Sequence, residues 1–167
     1  MKIPSGIKTN RGFDLADMAD QNPVLLIFLR HFGCIFCRES LYDLGQEQKF
    51  FQERSVKLVF VHMDSNEQAE SYFKKYGLTD AQHISDPECR LYQYFGLEKG
   101  RVSQLFGLKT WMRGFEANKK GVHYQLKKAG DSLQMPGVFV LDQGEVKNSF
   151  IHNSIADQPD YIKLLDY

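Results

Sequence analysis

Little in this chain is in excess, and its shortages exclude several protein classes at once. Cysteine occurs three times, as Cys34, Cys37 and Cys89, too few and too odd in number for a secreted disulfide scaffold. Charge favours neither sign, with 21 basic side chains against 21 acidic ones. No basic block or stripe disturbs that balance, which argues against nucleic acid and anionic membrane as partners. The longest apolar run is far too short to span a bilayer. The opening residues, Met1 to Gly6, carry no apolar signal-peptide core, so a soluble cytoplasmic protein is expected. No repeat, low-complexity tract or linker divides the 167 residues, which suit one domain with its own core.

Strand and helix patterns alternate along the chain, the signature of an α/β fold with a central sheet flanked by helices. Val24–Arg30 reads as a strand buried on both faces. A helix is expected from Arg38 to about Gln52, burying Leu41, Leu44 and Phe51. Val56–Val61 reads as a second buried strand, and Glu67–Tyr76 as a helix stopped by Gly77. A short extended piece at Gln82–Ser85 leads into Asp86-Pro87, where proline in the first turn opens a short helix through Phe95. Residues 98–134 form an inserted segment, with a helix carrying Leu105, Leu108, Met112 and Phe115. Its Trp111, Met112, Arg113 and Phe115 suit core packing, with a lid over the site as the second reading. Gly137–Leu141 and Val146–Ile151 read as a hairpin around Asp142–Glu145, and a last helix is expected from about Asp157 to Leu165.

Cys34-Ile35-Phe36-Cys37 stands at the seam between the first strand and its helix. Two thiols three residues apart lie about one helical turn apart, within reach of a disulfide. A helix N-terminus stabilises a thiolate through its free N–H groups and dipole. Cys34, at the cap, is expected to be the more exposed thiol and the one that attacks a disulfide; Cys37, inside the helix, would resolve it. Inert core thiols are the plain alternative. Zinc would need two further ligands, and the chain offers neither a second cysteine pair nor a histidine cluster. No cofactor is implied. The pattern favours redox chemistry.

Three segments resemble the peroxiredoxin-like (AhpC/TSA-type) proteins of the thioredoxin-fold superfamily. They are Phe28 to Glu39, Ser85 to Leu97, and Gly130 to Gln134 followed by Phe139 to Asp142 and Gly144. The resemblance implies a thioredoxin-like fold and thiol chemistry, with a thioredoxin- or glutathione-type reductant as partner and a hydroperoxide or protein disulfide as substrate. It departs at two places. Peroxiredoxins carry threonine three residues before the peroxidatic cysteine, where this chain has Cys34. They carry arginine shortly before the Phe139–Asp142 strand, where this chain has Pro136. Both departures are thioredoxin-like, and by resemblance to thioredoxin the Met135–Pro136 bond is expected to be cis.

The resulting expectation is a thiol–disulfide oxidoreductase cycling Cys34 and Cys37. The alternative is a thiol peroxidase with Cys37 attacking and Cys34 resolving, as the family alignment implies. A redox-sensing binding protein is a further alternative. Arg30, His31 and Arg38 are candidates for lowering a thiol pKa. Glu39 is expected to be an ordinary first-turn acid, and Cys89 a buried filler.

Overall fold

In the computed structural model, which describes residues 1–79, 81–101, 112–113, 116, 131 and 133–167, a five-stranded mixed sheet separates two layers of helices. The elements run α1 (Leu15–Gln21), β1 (Val24–Phe28), α2 (Ile35–Gln46), α3 (Gln48–Glu53), β2 (Lys57–His62), α4 (Asn66–Lys75), β3 (Gln82–Ser85), α5 (Arg90–Tyr94), β4 (Gly137–Asp142) and β5 (Glu145–Ile151). A 3₁₀ turn at Lys163–Leu165 follows. Strand order is β3-β2-β1-β4-β5. β1 pairs parallel with β2 and antiparallel with β4, so the strand leading to the cysteines lies at the centre.

The apolar run of β1 is buried on both faces, as its composition requires. Leu25 and Ile27 face the core under α2 and α4, with Leu41, Leu44, Phe51 and Phe73. Val24, Leu26 and Phe28 face the core under α1 and α5, with Leu15, Tyr92 and Phe95. Gln143 and Gly144 both take positive φ, 52° and 69°, at the β4–β5 turn. That conformation matches the twist of a two-residue hairpin.

Several expected boundaries move. The helix after β1 begins at Ile35, with Cys34 at its N-cap, and leaves helical geometry at Glu47 before α3. The short helix after Asp86-Pro87 starts only at Arg90, because the Asp86 carboxylate accepts from the N–H groups of Arg90 and Leu91 at 3.1 and 2.8 Å. The expected last helix shrinks to the 3₁₀ turn. Pro159 lacks an N–H and disfavours helix at Gln158 before it. Tyr161 is nevertheless buried.

Of the helix expected within 98–134, Leu105, Leu108 and Phe115 lie outside the described residues, as does Trp111, while Met112, Arg113 and Glu116 are helical and Met112 is exposed, against the core packing expected of it. The ends of that segment pair with each other. Gly100 N–H donates to Leu133 O at 2.7 Å, and Met135 N–H to Glu98 O at 3.2 Å. None of the described peptide bonds is cis, so the Met135–Pro136 bond is trans, against expectation. The main chain that a cis bend would leave free for a substrate is already used here, since Met135 N–H is bonded to Glu98. A proline at the mouth of a strand also lacks only an N–H that no ladder requires there.

Two features of this packing can be tested. A Cβ at Gly45 would run into the Tyr76 main-chain oxygen at the end of α4. Gly45→Ala is therefore expected to lower stability by about 1–3 kcal/mol in urea unfolding. His62 Nε2 and His83 Nδ1 share a hydrogen bond of 2.9 Å in the core. Burial, with the neighbouring His83, holds His62 down to about 3. An unfolded imidazole takes its proton at about pH 6.5, so the unfolded chain binds more protons below that point. Stability is expected to fall as pH drops from about 6.5, by up to about 1.4 kcal/mol per pH unit for each such imidazole. His62→Gln should remove one group from that slope in urea titrations across this range.

Candidate functional site

The site begins where β1 ends. Leu29 N–H continues the sheet by donating to Val61 O at 2.8 Å, and the chain then turns through residues 30–34 into α2. Phe32 is fully buried, stacked on Tyr72 at 4.7 Å between ring centres, and its N–H donates to Asp64 Oδ2 at 3.3 Å. Tyr92 Oη donates to the carbonyl groups of Leu29 and Val61. Cys34 N–H donates to His31 O at 3.0 Å, closing the turn that sets Cys34 at the helix N-cap.

All three cysteines are free thiols. Cys34 and Cys37 are each 4% exposed, so Cys34 is not the more exposed of the two. Phe32, Met135 and Phe36 join them in one cluster, which covers the helix cap that sequence alone leaves open. The two sulfurs differ in charge preference instead. A hydrogen bond from the Cys37 thiol holds the Cys34 thiol well below its usual range; burial opposes this, and the charge of Arg30 assists. The same hydrogen bond, with burial and the Cys34 charge, pushes Cys37 well above its usual range.

Arg30 is 5% exposed and connects three parts of the site. Its Nη1 donates to Cys34 Sγ at 3.4 Å and its Nε to Gln134 O at 3.1 Å. Its main-chain N–H donates to Cys37 Sγ at 3.1 Å. His31 is buried beside them and adds to the lowering at Cys34. Arg38, also buried, is turned toward α4, where it donates to Tyr76 Oη at 3.1 Å and lies 5.9 Å from the Tyr72 ring centre. Glu39 is no surface acid: its side chain is fully buried, 3.5 Å from Arg113. Pro136 lines a small cavity together with Cys37. Cys89 packs against Met63, its thiol pushed up by burial, as a filler would be.

Sequence reasoning missed His152, which lines that same cavity, and Gln134, whose side chain donates to Leu97 O at 2.9 Å. Neither carries a local signal, since nothing near position 134 or 152 marks its proximity to a cysteine far back in the chain. Among the described residues no group of three or more His, Cys, Asp or Glu could hold a metal ion. A groove of about 480 Å³ bordered by Phe13, Met18 and Leu58 lies by the opposite end of β1 and has no part in the thiol chemistry.

A thiol pair at the start of a helix, fed by the central strand of a mixed sheet with a closing β-hairpin, defines a thioredoxin-fold thiol protein. Comparison with solved structures agrees on the fold. A yeast mitochondrial 1-Cys peroxiredoxin superposes with a TM-score of 0.69 at 13% identity, covering 99% of this chain and 71% of that one. A putative DsbE thiol:disulfide interchange protein from Chlorobium tepidum gives 0.61 at 18% identity, covering 99% and 91%. Residues 43–154 match the AhpC/TSA antioxidant enzyme family, and the chain belongs to that family as a peroxiredoxin-like protein. The matched region begins after the cysteine pair. Peroxiredoxin-like 2C of Bos taurus is 32% identical over 139 residues, 77% of this chain and 59% of that protein. The chain thus spans about three-fifths of that curated relative.

Arg30→Met should leave Cys34 without its nearest positive charge. The rate of Cys34 alkylation by iodoacetamide near neutral pH is expected to fall about tenfold. An unchanged rate would show that Arg30 does not set the thiolate.

Proposed function

We propose that this protein is a thiol–disulfide oxidoreductase in which Cys34 attacks and Cys37 resolves. The observation that carries this reading is the asymmetry of the pair. Cys34 is held as a thiolate by the Cys37 thiol and Arg30, while Cys37 keeps its proton. A thiolate is the attacking species in exchange, and a low thiol pKa also makes a good leaving group. Cys34 would form a mixed disulfide with a substrate, and Cys37 would displace that substrate to give the Cys34–Cys37 disulfide. A thioredoxin- or glutathione-type system would return the pair to the dithiol, without a bound cofactor. A reducing compartment such as the cytoplasm suits a pair that must be reset this way.

Family membership favours a second reading, reduction of hydroperoxides with Cys37 attacking and Cys34 resolving. Against it stands the raised Cys37 thiol, since peroxide is attacked by a thiolate.

One comparison separates the two. The reduced protein is mixed with hydrogen peroxide, and its rate is set beside that of free cysteine at equal pH. Exchange predicts a rate near that of an ordinary thiolate, together with loss of disulfide reduction in a folded Cys34→Ser variant. A rate several orders of magnitude higher, with sulfenic acid on Cys37 in that variant, would replace exchange by peroxidase chemistry.

A further inference from the structure

A cavity of about 10 Å³ lies between α2, the start of β4 and the segment that follows β5. Its volume is at the lower bound for holding one water molecule. Cys37, Ser40, Pro136, His152, Gln158 and Tyr161 contribute to its lining. Most of the polar groups there satisfy one another. Ser40 Oγ donates to Gln158 Oε1 at 2.9 Å, Tyr161 Oη to the same oxygen at 3.1 Å, and Gln158 Nε2 to Phe36 O at 3.0 Å. His152 is different. It is 6% exposed, and its Nδ1 has no hydrogen-bond partner.

Burial holds the imidazole down to about 4, against opposing effects from the Asp157 charge and from main-chain hydrogen bonds to Pro136 and Asp157. It is therefore neutral at physiological pH. A neutral imidazole carries a proton on one ring nitrogen only, and the other accepts. Among the described residues, the charged and titratable groups around the pair are Asp157 beside His152, Tyr161 with Glu39 and Asp43 near it, and Arg30, Cys34 and Tyr92 beside Cys37.

The exchange reading above leaves one proton unaccounted for. In the dithiol, the raised Cys37 thiol keeps its proton. Once Cys34 is bonded to a substrate sulfur, Cys37 must lose that proton before it can attack. We propose that His152 Nδ1 receives the Cys37 proton across this cavity through one water molecule, an inference that rests on the exchange reading. The electron pair left on Cys37 Sγ forms the bond to Cys34 Sγ. The bond from Cys34 to the substrate sulfur breaks, and its pair leaves on the substrate thiolate. The imidazolium then returns its proton to that thiolate or to solvent. The substrate disulfide has gained two electrons, and the cysteine pair has lost two.

The test uses the full chain in its dithiol form, mixed with one equivalent of a chromogenic aryl disulfide. The first aryl thiol is released when Cys34 attacks, and the second when Cys37 resolves. In His152→Gln the ratio of second to first rate is expected to fall by at least about tenfold, the lower part of the range for a positioned base. The pH profile separates a base from a structural prop. The wild-type second phase should level off above about pH 5, where the imidazole is already neutral, whereas the variant should gain about tenfold per pH unit as hydroxide takes over. An unchanged ratio and profile would overturn the inference while leaving exchange intact. Should the variant fail to fold, the wild-type profile decides: a plateau supports His152, and a steady rise of about tenfold per unit overturns it. Absence of the first phase in the wild type would overturn the exchange reading, and this inference with it.

Discussion

Arg30 is a charged side chain held almost entirely out of water at the end of the central strand, and the site is organised around satisfying it. A buried charge left without partners costs several kcal/mol. Its Nε is met by the Gln134 carbonyl and its Nη1 by the Cys34 sulfur, while its main-chain N–H supports Cys37. A thiolate at Cys34 would compensate the buried guanidinium, and the guanidinium favours that thiolate. The Gln134 contact matters equally, because it fixes the chain entering β4 against the strand that carries the cysteines. Through one residue, the helix cap, the start of the closing hairpin and both sulfurs become a single unit.

The two sulfurs of that unit have different surroundings. Arg30 and His31 bring positive charge that favours a thiolate at Cys34. Cys37 lines a small cavity with His152 and a network of hydrogen bonds. Disulfide exchange needs this division, since one sulfur must hold charge before substrate arrives and the other must give up a proton only afterwards. Positive charge reaches the pair from the β1 side, through Arg30, and Pro136 lines the Cys37 cavity.

The fold was legible where physical signals are local. An unbroken apolar run predicts a strand buried on both faces, and β1 is one. A positive-φ turn and a glycine after a helix mark the hairpin and the end of α4. Boundaries slipped where a side chain or a proline overrode the periodic pattern. Asp86 caps a helix that starts three residues past Pro87, and Pro159 prevents the last helix from forming. The expected cis bond at Pro136 failed for a non-local reason. Whether that main chain is free depends on the pairing of Met135 with Glu98, which no pattern near the proline encodes.

By itself the sequence determined the order of strands and helices, the position of the Cys-x-x-Cys pair at a strand-to-helix junction, and the family resemblance that goes with them. Those follow from periodicity, turn chemistry and spacing along the chain, which operate over a few residues. Only the tertiary structure decided that both sulfurs are buried alike, that Arg30 reaches Cys34 while Arg38 turns to Tyr76, that Glu39 is buried, and that His152 shares a cavity with Cys37. Each of these joins groups from elements that meet only when the sheet has set β4 and β5 beside β1 and the helices have packed across it. Burial and charge are properties of that assembled surrounding, and a linear pattern does not contain them.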